Sequence, residues 1–279
     1  IIKPGTRIVH IDIDPTELGK VYRVAVGIWA DARSALADLV AALSGDRAAL
    51  AAGKTERIAE VAALRRAWTE SSEHQRVSNE QPIHMARLLH QLRLAVPPES
   101  VIVADGGFAA HWSALLYDVT AAGRTYIANR GHAAIGYGLP GAMGAKLAVG
   151  RGVPVIALCG DNGFAMTAME METARRAGAP VIVVVVNNGA LGYVKALQHA
   201  LYDGRYISSD FLDVSYVDVA KACGCEGLLV KNPEDLAAAF RTAMEVQADG
   251  PVLIDVRTTT DPSKMLPGVD ARTRARARN

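Results

Sequence analysis

Residues 155–188 read "VIALCGDNGFAMTAMEMETARRAGAPVIVVVVNN", and this stretch decides the fold. Its first residues are apolar and strand-forming, and the run "PVIVVVVNN" at its end is the same. An amphipathic helical pattern lies between them. Two uninterrupted apolar strands joined by a helix make a β-α-β unit, which calls for a parallel sheet covered on both faces. Working outward, a helix in "PIHMARLLHQLRLAV", a strand in "SVIVADGG" and a helix in "PGAMGAKLAVG" precede it. A helix near "YVDVAKACG", a strand "CEGLLV", a helix "PEDLAAAFRTAMEVQ" and a strand "GPVLIDVRT" follow. Residues 81–262 are therefore expected to form an α/β fold, a parallel sheet with helices on both faces.

Ligands of such sheets bind at the carboxyl ends of the strands. Asp105, Asp161 and the pair Asn187–Asn188 all fall there. Asp161 and Asn188 are 27 residues apart, one helix plus one strand, so both are expected at tips of neighbouring strands. Carboxylate, amide and backbone carbonyl oxygens are hard donors suited to Mg²⁺, which shares its six positions with phosphates. A helix expected to start after Gly163 would turn free N–H groups toward the same place. Gly160 and Gly163 would let the backbone approach closely. A lone Asp at such a place is otherwise a helix cap.

A second signal competes. "GYGLPG" (Gly136, Gly138, Gly141) matches G-x-G-x-x-G, and Asp161 stands twenty residues after Gly141, as in a dinucleotide fingerprint. The residues ahead of it, "ANRGHAAI", make a poor strand, whereas that fingerprint needs its glycines directly after one.

Ahead of this domain, "RIVHIDID" and "ADARSALADLVAAL" read as the last strand and helix of a Rossmann-like central domain, residues 1–44. Residues 45–80 are expected to hold a polar, Ala-rich linker helix bearing Trp68, and 263–279 a basic tail with Arg272, Arg274, Arg276 and Arg278. In the 279-residue chain, 30 basic residues nearly balance 29 acidic ones, which gives no electrostatic reason to expect nucleic acid or an anionic membrane. No apolar run approaches the roughly 20 residues of a membrane span. Three cysteines, Cys159, Cys223 and Cys225, are an odd count without metal-ligand spacing, which fits a reducing cytoplasm.

"GDNGFAMTAMEMETARRAGAPVIVVVVNNGALGYV" resembles the thiamine-diphosphate motif, which opens with GDG and closes with NN. "GHAAIGYGLPGAMGAKLA" is similar to the segment ahead of that motif in acetolactate synthases and related decarboxylases, and "VIVADGG" and "RIVHIDIDPTELGK" resemble further pieces of the same family. The resemblance covers almost the whole chain. It implies thiamine diphosphate and Mg²⁺ as cofactors, with FAD left open. Asp161 and Asn188 would bind the metal through side chains and Ala190 through its carbonyl. Gly160, Asn162 and Gly163 would lie against the diphosphate, with Leu191 beside them. Ile135 would prop the cofactor in its bent conformation, the Ala133 carbonyl would accept from the aminopyrimidine, and Met166 would pack close by. Ordinary core packing is the other reading of Ile135 and Met166.

The sequence departs from the family in several places. Asn162 replaces the usual third glycine, and Leu197 stands where acetolactate synthases carry tryptophan. His132 is a candidate proton carrier, and Tyr193 and Leu197 are candidates for the substrate pocket; His111 and Trp112 are candidates to border it. The family's activating glutamate belongs to a pyrimidine-binding domain that this stretch does not contain. The resemblance thus implies a C–C bond lyase or carboligase for a 2-oxo acid that needs that domain from another segment or subunit, in a homo- or hetero-oligomer. An acyl-CoA substrate, as in 2-hydroxyacyl-CoA lyases and oxalyl-CoA decarboxylases, and a non-catalytic partner subunit are the alternatives.

Overall fold

The computed structural model describes residues 2–46 and 50–267. The four arginines of the basic tail lie outside the described residues. The chain divides into two compact units, Ile1–Thr69 and Glu70–Asn279.

In the first unit, strand β1 (Val9–Asp12) pairs in parallel with β2 (Val26–Trp29), Val9 opposite Val26 and Asp12 opposite Trp29. Helix α1 (Ala32–Ala42) follows, capped by Asp31, whose carboxylate accepts from the Ser34 N–H at 3.0 Å. The sequence reading has one strand here, not two. The four residues of β2 are all exposed, so they carry no buried-exposed alternation to read. Helix α2 (Lys54–Arg76) fills most of the stretch read as a linker.

The second unit holds the expected sheet. Its elements in chain order are α3 (Met85–Ala95), β3 (Val101–Ala104), α4 (Phe108–Leu116), β4 (Tyr126–Ala128) and α5 (Gly138–Val149). Then come β5 (Val155–Gly160), α6 (Asp161–Met166), α7 (Glu170–Arg176), β6 (Ile182–Asn187) and α8 (Gly192–Leu201). Last are α9 (Tyr216–Ala222), β7 (Glu226–Val230), α10 (Leu236–Val246) and β8 (Val252–Arg257). The six strands run parallel in the order β4-β3-β5-β6-β8-β7. From β3 the chain moves outward to β4 and then returns to the other side as β5, so the strand order reverses between β3 and β5. Open α/β sheets place ligands at such a reversal.

Strand side chains alternate between two cores. Ile156, Leu158, Ile182, Val184 and Val186 point into one, with Leu88, Leu89 and Leu92 of α3 and Phe240 of α10. Val155, Ala157, Cys159, Val181, Val183 and Val185 point into the other, with Leu139 of α5, Phe164 of α6, Met171 of α7 and Ala220 of α9. Continuous apolar strands are what a two-sided burial of this kind selects.

Three local expectations change. Helix α4 and the three-residue strand β4 are absent from the sequence reading. The helix expected to begin after Gly163 starts instead at Asp161, with Gly160 as its N-cap. It ends at Thr167, whose φ is −132°, and α7 resumes at Glu170. The Thr167 hydroxyl donates to the Gly136 carbonyl at 3.3 Å, a tertiary bond at the break that helical periodicity cannot reveal.

Candidate functional site

The ends of β3, β5 and β6 open into a groove, the place where open α/β sheets bind ligands. Gly106, Gly107 and Phe108 line it after β3, Gly160 to Gly163 after β5, and Asn188, Ala190, Leu191, Gly192 and Tyr193 after β6, with Ile135 from the loop ahead of α5.

Asp161 is the first residue past β5 and is only 3% exposed. One carboxylate oxygen accepts from its neighbour's amide, Asn162 N–H, at 2.7 Å. The other accepts from the N–H groups of Asn188 at 3.2 Å and Ala190 at 3.3 Å. No basic side chain pairs with it among the described residues, so burial dominates and raises its pKa to about 6 against these bonds. Asn188 is also buried, and its side-chain oxygen accepts from Ala190 N–H at 3.2 Å. Gly192 gives that amide its room: a Cβ there would overlap Asn188 Nδ2 and lie 3.1 Å from Phe108 Cδ2.

A buried carboxylate without a cation, an amide oxygen beside it and a backbone carbonyl one residue beyond Gly189 are a donor set that fits a hard divalent ion. The described residues supply too few charged donors to close the shell. Among the described residues, no three His, Cys, Asp or Glu side chains cluster as a metal site. Phosphate oxygens would complete such a shell, as Mg²⁺ sites on nucleotides and diphosphates do.

Behind the groove, Asn187 Nδ2 donates to Asp255 Oδ1 at 3.0 Å, and Asn187 Oδ1 accepts from Gly189 N–H at 3.3 Å. Asp255 is fully buried, and burial raises its pKa. Tyr216, buried on α9, is pushed up to about 12, first by burial and then by the Asp161 and Asp255 carboxylates. It is a neutral phenol at physiological pH.

The sequence candidates separate. Ile135, Gly160, Asp161, Asn162, Gly163, Asn188, Ala190, Leu191 and Tyr193 meet in the groove. Ala133 is exposed beside it, with φ at +51°, a left-handed conformation uncommon for a residue with a Cβ. Met166 is 60% exposed and His132 is exposed, and neither lines the groove. Leu197 packs against the hydrophobic core. Tyr193 also stacks on His111, ring centroids 4.4 Å apart, while Trp112 is buried with its N–H on the Met265 carbonyl at 3.0 Å. Gly106, Gly107, Phe108 and Gly192 are groove residues that sequence reasoning passed over. The double glycine after "VIVAD" is the signal that could have found the first two. The G-x-G-x-x-G reading finds no support, because seven residues separate the end of β4 at Ala128 from Gly136. No helix among the described residues is long and apolar enough to cross a membrane.

Comparison with known proteins gives the same region. Residues 105–256 match the family model described as thiamine pyrophosphate enzyme, C-terminal TPP binding domain. The chain is 32% identical over 268 residues to an acetolactate synthase large subunit of Corynebacterium glutamicum, covering 90% of this chain and 40% of that protein. It is 31% identical over 264 residues to a sulfoacetaldehyde acetyltransferase of Rhodobacter capsulatus, covering 87% and 43%. Among solved structures, a thiamine diphosphate-dependent 4-hydroxybenzoylformate decarboxylase of Rhodococcus jostii superposes with a TM-score of 0.60 at 28% identity, over 67% of this chain and 34% of that one. The chain thus spans less than half the length of each.

Proposed function

The chain belongs to the thiamine pyrophosphate enzyme family through its C-terminal TPP-binding domain, and from that premise we propose that its groove holds thiamine diphosphate with Mg²⁺ for cleavage or formation of a C–C bond beside a carbonyl. The observation that carries the reading is the buried Asp161, which has no cation partner among the described residues and shares the groove with Asn188 and Ala190. Asp161 and Asn188 would hold the metal through side-chain oxygens and Ala190 through its carbonyl. Gly160, Asn162 and Gly163 would pass close to the diphosphate: Gly160 has no Cβ to hold the backbone away, and the Asn162 amide can bind phosphate oxygens.

When bound, thiamine diphosphate supplies the electron sink that makes a bond next to a carbonyl cleavable. The residues of this chain do the binding and orienting. Ile135 gives the groove an apolar surface for the cofactor's organic part. The carbonyl of Ala133 is the acceptor proposed for the aminopyrimidine. Tyr193, at the rim on α8, is proposed to face a 2-oxo acid substrate. The activating carboxylate is proposed to come from a pyrimidine-binding domain on another segment or subunit, so the working enzyme would be an oligomer or a longer chain.

Calorimetric titration with thiamine diphosphate and Mg²⁺, beside one with NAD, tests the reading. Binding of the diphosphate that needs Mg²⁺ and disappears in Asp161→Ala is expected. Binding of NAD in its place would overturn it.

A further inference from the structure

Asp105, the first residue past β3, is fully buried and does not itself line the groove. Like that of Asp161, its carboxylate accepts from three backbone N–H groups. Oδ1 accepts from the N–H groups of Gly106 at 2.7 Å, Gly136 at 3.0 Å and Tyr137 at 3.1 Å, and Oδ2 from Gly136 at 3.1 Å. Two of these donors lie more than thirty residues away, on the loop that carries Ala133 and Ile135.

The surroundings are shaped to admit this carboxylate. A Cβ at Gly163 would overlap Asp105 Oδ2 and come within 3.3 Å of Ile135 Cγ2, and a Cβ at Gly138 would lie 3.0 Å from Asp105 Cβ. A Cβ at Gly106 would lie 2.8 Å from the Ala133 carbonyl and 3.3 Å from Ile135 Cγ1. The loop is tied at two further points: Thr167 Oγ1 donates to the Gly136 carbonyl, and Asn129 Nδ2 to the Ala134 carbonyl. Left to itself, such a loop would relax the left-handed Ala133, a conformation unfavourable for an L-residue.

The geometry points to Asp105 as a positioning residue for the organic half of the cofactor: by gripping Gly136 and Tyr137, it fixes Ile135 and the Ala133 carbonyl in the groove. This rests on the groove holding thiamine diphosphate. Asp161 and Asn188 hold the other end, so Asp105 separates the two ends energetically. An apolar Ile135 contributes contact to a heteroaromatic ring and none to a diphosphate group.

The test compares two ligands on the chain, each with Mg²⁺: thiamine diphosphate and inorganic pyrophosphate. In Asp105→Asn, whose amide cannot accept at both positions, affinity for thiamine diphosphate is expected to fall at least tenfold and that for pyrophosphate to stay within twofold. Backbone amide exchange at Gly136 and Tyr137 is expected to accelerate in the ligand-free variant. Thr167→Val, which loosens the same loop without touching the carboxylate, is expected to show a smaller loss with the same selectivity. It carries the test if Asp105→Asn does not fold. Equal losses for both ligands, or no loss for either, overturn the proposal. Wild-type chain that binds neither ligand overturns the reading of the groove, and this proposal with it. Wild-type chain that binds both ligands equally leaves the groove reading standing and overturns only the role of Asp105.

Discussion

Asn187 Nδ2 donates to Asp255 Oδ1 at 3.0 Å, tying the end of β6 to the neighbouring strand β8 one residue before the groove-lining Asn188. The same asparagine accepts from Gly189 N–H, so one side chain connects a buried carboxylate to the turn that leads into Ala190.

Replacing Asp255 with alanine removes that acceptor and leaves a buried amide donor unpaired. A loss of about 1–3 kcal/mol in unfolding free energy is expected, read from urea denaturation. Mg²⁺ affinity should weaken several-fold as the turn loosens. A variant as stable as the parent would mean that the amide finds another partner.

The metal-free protein should show a pH signature from Asp161. Its folded pKa of about 6 is raised above the ordinary 3.8 by burial, so the folded state binds this proton more tightly than the unfolded chain. The stabilisation is complete below pH 3.8 and is lost as pH rises through 6, by roughly 3 kcal/mol at about 1.4 kcal/mol per pKa unit. Asparagine at this position does not titrate. Melting curves from pH 4 to pH 7 should therefore show Asp161→Asn gaining on the parent as pH rises, and parallel curves would contradict the assignment.

Gly192→Ala places a methyl group against the Asn188 amide and Phe108. Overpacking of this kind costs about 1–3 kcal/mol. Because the displaced group is a proposed ligand, Mg²⁺ affinity should drop by about tenfold, measured by titration of the folded variant.

The three thiols should be quiet. Cys159 is fully buried with its pKa pushed well up by burial, and Cys223 and Cys225 are buried as well. Thiolate is the reactive form, so iodoacetamide should label the native protein slowly and all three sites only after unfolding. Rapid native labelling at Cys225 would show that the space beside Arg175 opens in solution.

What was legible in the sequence follows from how far each signal travels. Strands β5 and β6 read directly, because burial on both faces leaves an unbroken apolar run in each. The neighbouring positions of Asp161 and Asn188 followed from counting one helix and one strand. Strand β4 is three half-buried residues at the sheet edge, too short for any periodicity. Helix α4 follows two glycines that read as a turn. Met166 and Leu197 belong to helical patterns whose facing depends on tertiary packing, so residue spacing left groove, core and surface equally open. The grip of Asp105 on Gly136 and Tyr137 spans thirty residues of sequence, and no local pattern announces it.

Strand β8 enters the sheet between β6 and β7, although both are made before it. During synthesis β7 has no strand to pair with until β8 emerges, and the Asn187 amide has no acceptor until Asp255 does. Folding of this unit is therefore gated by its last strand: contacts far apart in sequence must close before the turn after Asn187 is held, and pairings of that kind form slowly. A nascent chain halted ahead of Val252 should leave β7 unpaired and accessible to protease, and acquire a competent groove only when the final strand slides home.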